Sequence, residues 1–164
     1  MPDIPVTRTA ELWRSAGFAA LLLRSHLEVT GTPLCPPRWS SHQEAARWLY
    51  ASAPFGLLAH DTDDDPKFFY ANQAAQSCFG YGWDEFDGMP SRLSAASDRQ
   101  TERESFVQSV RSKGFATGYR GLRRARSGSE FWIEDVTMWD LIDESGTLHG
   151  QAAVFRSWSE HGEG

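Results

Sequence analysis

The chain has 164 residues, of which 40% are hydrophobic and 13% are aromatic, and its net charge is −6. This length and apolar content predict one globular domain that buries its core without disulfides or a metal. The negative charge argues against nucleic acid as a partner, because a general nucleic-acid-binding surface needs a cationic face.

The cysteines and the apolar stretches bear on the cellular compartment. Cys35 and Cys78 are too few for a disulfide framework and form no CxxC pair, so a reducing cytoplasm is expected. The longest apolar stretch, Phe18–Leu23, is too short to span a bilayer, and the N-terminus lacks the pattern of a signal peptide. The sequence therefore predicts a cytoplasmic protein without a membrane partner.

Two helices are predicted at the N-terminal end. Apolar residues recur every three or four positions over Ala10–Val29, with Thr9 as a possible N-cap. A second helix over Ser41–Ala51 begins with a capping box formed by Ser41 and Glu44. These helices define an N-terminal extension, residues 1–53, packed on a core at 54–158, with a disordered tail at 159–164.

Strands and one long helix are predicted in the core. Turn residues separate the apolar segments, and consecutive hairpins indicate antiparallel pairing. The long helix is expected at Asp98–Lys113. The strands are expected at Phe55–His60, Lys67–Ala71, Tyr119–Arg126, Glu130–Ile142 and Leu148–Trp158.

The middle of the chain resembles a known family. A strand at Phe68–Tyr70 leads to Asn72, a short helix, a Gly-Tyr-Gly break and an acidic turn over Trp83–Phe86. This order resembles the centre of a PAS domain, and the chain is more closely similar to the MEKHLA domain, a PAS-like family that includes small bacterial proteins. The segments that carry the resemblance are Phe69–Ala75, Met89–Ala95 and His149–Ala153.

The resemblance implies an α+β fold, in which a five-stranded antiparallel sheet cups a ligand or a partner and short helices pack on it. The competing fold is the α/β roll of small enzymes. Short helices at Asn72–Phe79 and Trp83–Phe86, between the second and third strands, would distinguish the PAS-like fold from the roll.

No cofactor or metal is predicted. Flavin-binding relatives place a reactive cysteine where this chain has Pro90–Leu93, and haem-binding relatives usually carry a histidine on the long helix, where this chain has none. Cys78 is interpreted as a packing residue. The histidines show no spacing typical of a metal site, although proximity in the fold could bring two together.

A row of arginines lies on the third predicted strand. Strand alternation places Arg120, Arg124 and Arg126 on one face and Arg123 on the other. An anion site is one interpretation of these arginines. Ion pairs with carboxylates on the next strand are favoured.

The candidate site consists of polar residues on apolar strand faces. Alternation over Glu130–Ile142 groups Asp135, Thr137 and Trp139 on one face together with Phe131, Ile133 and Leu141, and this face is predicted to line the cup. Buried polar groups there need a partner in the protein or a ligand. His149 and Gln151 share a face on the next strand, and Asn72, Ser91 and Arg92 are expected at the mouth of the cup, where Arg92 would hold a ligand anion or pair with an acidic loop. The predicted ligand-binding residues are Asn72, Ser91, Arg92, Asp135, Thr137, Trp139, His149 and Gln151.

The sequence leaves two alternative functions open. The first is a sensor or binding module that holds an unknown small molecule and acts through a protein partner or as a homodimer. Its first helix would form the association surface, unless that helix covers the sheet of its own chain. The second is an enzyme on a small metabolite, with Asp135 or His149 as the base, since either group can titrate near neutral pH when partly desolvated.

Overall fold

The computed structural model describes residues 12–36, 38–94 and 100–160, apart from the side chains of residues 100–103 and 107. The helices in this part of the chain are α1 (Ala16–Thr30), α2 (His42–Ala51), α3 (Gln73–Phe79), α4 (Trp83–Phe86) and α5 (Gln100–Lys113). The strands are β1 (Gly56–His60), β2 (Phe68–Ala71), β3 (Phe115–Arg124), β4 (Glu130–Ile142) and β5 (Leu148–Glu160). Short 3-10 turns lie at Leu12–Arg14 and Ser91–Ser94.

The strands form one sheet in the order β2-β1-β5-β4-β3, and each neighbouring pair is antiparallel. The short helices α3 and α4 lie between β2 and β3 in the chain, as expected for a PAS-like fold and not for the α/β roll. The predicted fold class is therefore confirmed. Strand β5 continues to Glu160, so Ser159 and Glu160 of the predicted tail belong to the sheet.

Each face of the sheet carries its own apolar core. On the outer face, α1 and α2 pack on side chains that include Leu57, Trp139 and Val154. On the inner face, which is the cup, α3, α4 and α5 cover the other side chains of the same strands. The inner core includes Leu58, Phe79, Phe86, Val110, Phe131, Ile133, Val136, Met138, Ala153 and Phe155.

Helix α1 begins later than the sequence predicted. Ser15 is its N-cap and accepts a hydrogen bond at its Oγ from the Phe18 backbone N–H at 3.0 Å. The 3-10 turn at Leu12–Arg14 precedes this cap, so the predicted start at Ala10 is wrong, while Thr9 lies outside the described residues. The start of a helix is fixed by a side chain that accepts a hydrogen bond from an otherwise unpaired backbone N–H, as Ser15 does here. Apolar periodicity alone does not fix that position.

The apolar face of α1 is buried within its own chain. Phe18, Ala19 and Leu22 are at most 2% exposed and lie in the outer core. Helix α1 thus covers the sheet of its own chain, which the sequence left open as the alternative to an association surface. Leu27, which is 49% exposed, is the large apolar side chain that α1 leaves at the surface among the described residues.

A β-bulge at Asp135 interrupts β4. Ile133 pairs with Gly121 on β3, but Val136 pairs with Tyr119, so two residues of β4 lie between these pairs where β3 has one. Asp135 has φ of 54°, in the left-handed region that aspartate tolerates better than most residues. It is therefore the extra residue that a bulge accommodates.

The bulge reverses the inward face of β4. Before it, Ile133 faces the cup, and after it Val136 and Met138 do so. Trp139 and Leu141 consequently lie on the outer face. The predicted face, which ran from Phe131 through Trp139 to Leu141 by strict alternation, is wrong beyond Asp135, because one added residue exchanges the two faces of a strand.

Candidate ligand-binding cup

A partly enclosed cavity lies on the inner face of the sheet. Its volume is about 30 Å³, which holds about two water-sized molecules. Its apolar wall consists of Leu58, Phe68, Phe106, Ile133, Val136, Met138 and Ala153. Its polar residues are His60, Ser91, Ser94, Tyr119, Arg123 and Gln151. An apolar pocket into which a few polar groups converge is the usual form of a small-molecule site.

The end of the cavity formed by β1 and β5 is polar. His60 and Gln151 are paired residues on these strands, and both are buried. Gln151 donates from Nε2 to Asp140 Oδ1 at 3.1 Å, and His60 Nδ1 lies 3.1 Å from the Asp61 carbonyl oxygen. Burial raises the pKa of Asp140, although the Gln151 hydrogen bond and the charge of Arg111 oppose that shift.

Arg123 enters the cavity from β3. Arg123 is only 7% exposed, and its buried Nη1 has no hydrogen-bond partner among the residues that the structure describes. Burial lowers its pKa, and a hydrogen bond with Tyr119 opposes that shift. Within the described residues no carboxylate forms an ion pair with Arg123, so its charge is buried without a counterion.

Tyr119 is held in place beside Arg123 by its neighbours. Its ring stacks on Phe106, with centroids 4.1 Å apart and an interplanar angle of 15°. The ring also lies over Gly121, where an added Cβ would come within 2.6 Å of the Tyr119 ring. The tyrosine and the arginine therefore form one wall of the cavity.

Two of the predicted ligand-binding residues line the cavity. Ser91 and Gln151 are 2% and 5% exposed and are both part of the lining. Ser91 comes from the 3-10 turn between α4 and α5, and Gln151 comes from β5. Their role in binding stays a prediction.

Asn72, another predicted binding residue, is buried away from the cavity lining and makes structural hydrogen bonds. Its Oδ1 accepts from the backbone N–H groups of Ala75 and Leu57, at 3.1 Å and 3.0 Å. Its Nδ2 donates to the carbonyl oxygens of Leu49 and Phe55, at 2.9 Å and 3.0 Å. Asn72 thus caps α3 and ties the end of α2 to the sheet.

Arg92 lies at the surface. Its Nε donates to Asp65 Oδ1 at 3.0 Å, and its side chain is 53% exposed. The structure therefore places it in an ion pair with the loop between β1 and β2, outside the cavity lining.

Trp139 and Thr137 lie on the side of β4 that faces away from the cavity. Trp139 is fully buried, donates from Nε1 to Ser25 Oγ at 2.9 Å, and meets the His26 ring edge-on at 4.7 Å. Thr137 pairs with Val154, which is part of the outer core. The bulge at Asp135 is the reason that these residues do not face the cup.

The two candidate bases also lie outside the cavity lining. Asp135 is exposed on the bulge. His149 is half-buried at the start of β5, and its Nε2 lies 2.6 Å from Asp143 Oδ2. That hydrogen bond lowers the pKa of Asp143 well below its usual range, with help from Ser145. His149 and Asp143 thus bridge the two ends of the hairpin that joins β4 and β5.

The prediction missed His60, Tyr119 and Arg123 as cavity residues. The signal for Arg123 was present, because alternation separated it from the other arginines of the strand. Those arginines pair as expected: Arg120 Nε lies 2.9 Å from Glu134 and Arg124 Nη2 lies 3.4 Å from Glu130. The odd member of the row is the one inside the cup.

Neither cysteine lines the cavity. Cys78 packs beside the inner core, and burial raises its pKa to about 11, which opposes formation of a thiolate. Cys35 packs against the outer core. The residues of the cavity therefore do not fit the cysteine–flavin chemistry considered above.

Two further findings are confined to the described residues. They contain no cluster of three or more histidine, cysteine or acidic side chains placed to hold a metal ion. Among them there is also no helix with the length and apolarity needed to cross a bilayer.

Solved structures similar to the chain are PAS and light-oxygen-voltage (LOV) domains. A PAS domain from Colwellia psychrerythraea matches with a TM-score of 0.55 and 17% identity, over 64% of this chain and 86% of its own. A LOV domain of a blue-light-activated histidine kinase from Erythrobacter litoralis matches with a TM-score of 0.55 and 19% identity. This match covers 68% of the present chain and 99% of the LOV domain chain. These similarities define the fold as that of the PAS and LOV class. A search of curated proteins gives no match.

The sequence itself identifies the family. The model of the MEKHLA domain matches residues 16–160, a range that includes α1 and α2 as well as the sheet. The chain belongs to the MEKHLA domain family, and its fold is that of the PAS and LOV domains.

Proposed function

We propose that this domain binds a small molecule in the cup and communicates its occupancy to a protein partner or to a second copy of the chain. The observation that supports this most directly is the cavity itself. Residues from β1, β3, β5 and the turn at Ser91–Ser94 bring polar side chains to one small space with an apolar wall. A domain that needed only a packed core would fill such a space with apolar side chains.

Strand β4 offers a route from the cup to the outer helices. Met138 is part of the cavity wall, and the next residue, Trp139, is hydrogen-bonded to Ser25 on α1. A ligand that displaces Met138 therefore acts on a strand whose adjacent residue is fixed to α1. Packed interfaces of this kind convert small displacements into shifts between discrete arrangements.

A thermal-shift screen with a broad metabolite library tests binding. A ligand present at about 100 times its Kd stabilises the folded state by roughly 2.7 kcal/mol. Ala153→Leu adds a branched side chain to the cavity wall and should abolish the shift. Ala125→Leu, a matched change at a half-buried position outside the cavity lining, should leave it intact. A library without any hit, or hits that Ala153→Leu preserves, would contradict binding in the cup.

Size-exclusion chromatography with light scattering tests the form of the partner. The chain mass is 18.4 kDa, so a homodimer is resolved readily from a single chain. A monomer at tens of micromolar, with and without a bound ligand, would remove the homodimer and leave a different protein as the partner. A homodimer that forms only in the presence of ligand would show that occupancy of the cup controls self-association.

A further inference from the structure

The guanidinium of Arg123, which has no carboxylate partner among the described residues, sets the chemistry of the cup. Arg123 is more than nine-tenths buried, and its Nη1 has no hydrogen-bond partner in the part of the chain that the structure describes. Tyr119, with which its side chain forms a hydrogen bond, is a phenol and does not supply the negative charge of a counterion. A buried charge without a counterion is costly, and proteins normally pair it.

The neighbouring arginines show that β3 can pair its cations. Arg120 meets Glu134 at 2.9 Å, and Arg126, just beyond the strand, meets Glu85 at 2.9 Å. Both pairs are at the surface, where an ion pair contributes little to stability. Arg123 is the arginine for which a counterion would matter most, and among the described residues it has none.

We infer that the cup binds a small monocarboxylate, whose carboxylate is held by Arg123 and whose apolar part lies against Phe68, Ile133 and Met138. This inference rests on the proposed binding function and names the ligand class. A guanidinium and a carboxylate match in shape and hydrogen-bonding geometry.

Charge and space both favour a monoanion. One guanidinium balances one negative charge, whereas a phosphate monoester carries close to two at neutral pH. The cavity has room for about two water-sized molecules and its wall is mostly apolar, so it suits a short aliphatic acid. The end of the ligand away from Arg123 would face His60 and Gln151, which favours an acid with a second polar group.

The test uses pairs of probes that differ only in charge. Aliphatic carboxylates from acetate to butyrate and their 2-hydroxy derivatives are each compared with the corresponding neutral amide at constant ionic strength. We expect at least one acid to raise the melting temperature of the native chain and its amide to fail. This comparison needs no variant, so it does not depend on how well a variant folds.

Substitutions then assign the charge to one residue. Arg123→Met should weaken binding of that acid at least about tenfold, because a charge-assisted hydrogen bond is lost. Arg120→Met, on the same strand but at the surface, should leave the affinity unchanged. Arg123→Lys keeps the charge without the planar fork and should bind with intermediate affinity.

The outcomes separate this inference from the proposed function. Neutral compounds that bind while every acid fails, or acids that bind Arg123→Met as tightly as the native chain, would overturn the monocarboxylate and leave a binding cup. Absence of binding by the acids, the amides and a neutral metabolite library would remove both.

Discussion

The indole N–H of Trp139 donates to Ser25 Oγ at 2.9 Å, which joins the centre of the sheet to α1 across 114 residues of chain. Ser25 in turn donates to the Leu21 carbonyl oxygen at 2.6 Å, so its hydroxyl is oriented by the helix that carries it. Both residues are at most 1% exposed. This contact fixes α1 to the outer face of the sheet at one specific position.

Ser25→Ala should destabilise the fold by about 1–3 kcal/mol, because it leaves the Trp139 N–H buried without an acceptor. Urea unfolding measures the change. Ser112→Ala is the matched control, since Ser112 makes the same kind of hydrogen bond to Gln108 on α5 but is exposed. It should alter stability by less than about 0.5 kcal/mol. Equal effects of the two changes would contradict the importance of the buried contact.

Trp139→Ala should cost about 3–5 kcal/mol, as expected when a fully buried aromatic side chain is truncated. Because Trp139 packs on α1 and not on the cavity, any ligand affinity measured at a temperature where the variant is folded should persist. Calorimetric titration checks this. Complete loss of binding by a folded Trp139→Ala variant would instead place the indole in the ligand site.

Asn72→Asp should be strongly destabilising although aspartate is a good N-cap. The Oδ1 bonds to Ala75 and Leu57 survive the change, but the two hydrogen bonds that Nδ2 donates to Leu49 and Phe55 become contacts between oxygens. We expect a loss of about 2–4 kcal/mol from two unsatisfied buried carbonyl groups and a buried charge.

Urea unfolding at neutral pH measures the effect of Asn72→Asp. Ser41→Asp at the N-cap of α2 is the control, because its carboxylate reaches only exposed backbone. The two variants should differ by more than about 1.5 kcal/mol. Similar stabilities would show that the amide donors contribute little.

Asp135→Gly should preserve or raise stability by a few tenths of a kcal/mol, because glycine adopts a positive φ without steric cost. Asp135→Val should lower it by about 1–2 kcal/mol, since a β-branched side chain is strained in this conformation. Thermal unfolding of both variants provides the comparison. Equal melting temperatures of the valine and glycine variants would contradict a left-handed backbone conformation at position 135.

His26 should make stability depend on pH. Burial lowers its pKa below the ordinary value of 6.5, as does the charge of Arg156, although the hydrogen bond with the Thr32 carbonyl opposes the shift. The unfolded chain therefore binds more protons than the folded chain just below pH 6.5, and stability should fall as pH falls through that window. His26→Asn should reduce this slope in urea titrations at pH 5–7, and the exposed control His42→Asn should not.

The sequence was sufficient to predict the elements whose signals are local. The turn residues and strand alternation located β4 at Glu130–Ile142, and Asn72 correctly marked the start of α3. Asn72 nevertheless has two further hydrogen bonds to distant segments, and no local pattern contains those partners. The sequence therefore predicted Asn72 at the mouth of the cup as a ligand-binding residue, and its structural role was missed.

The errors at Thr137 and Trp139 have one physical cause. The assignment of faces by alternation assumes an uninterrupted pleat. A glycine at position 135 would have indicated a bulge, but aspartate stands there and adopts the required positive φ itself. Thr137 and Trp139 were therefore assigned to the cup. Arg123 lies in the regularly paired stretch from Gly121 to Arg124, and alternation gave it the correct separate face. Gln151 is in regular register with β1, although its pairing with β4 is irregular.

The single extra residue at Asp135 divides β4 into two segments of opposite phase. A relative that lacks only this residue would keep the tryptophan against α1, because Ile133 and Val136 both face the cup and would then stand two positions apart in a regular pleat. A relative that keeps the residue but pairs it in a regular pleat would instead turn the tryptophan toward the ligand and Met138 toward α1. The backbone conformation at this one position thus decides between an open cup and one filled by an indole.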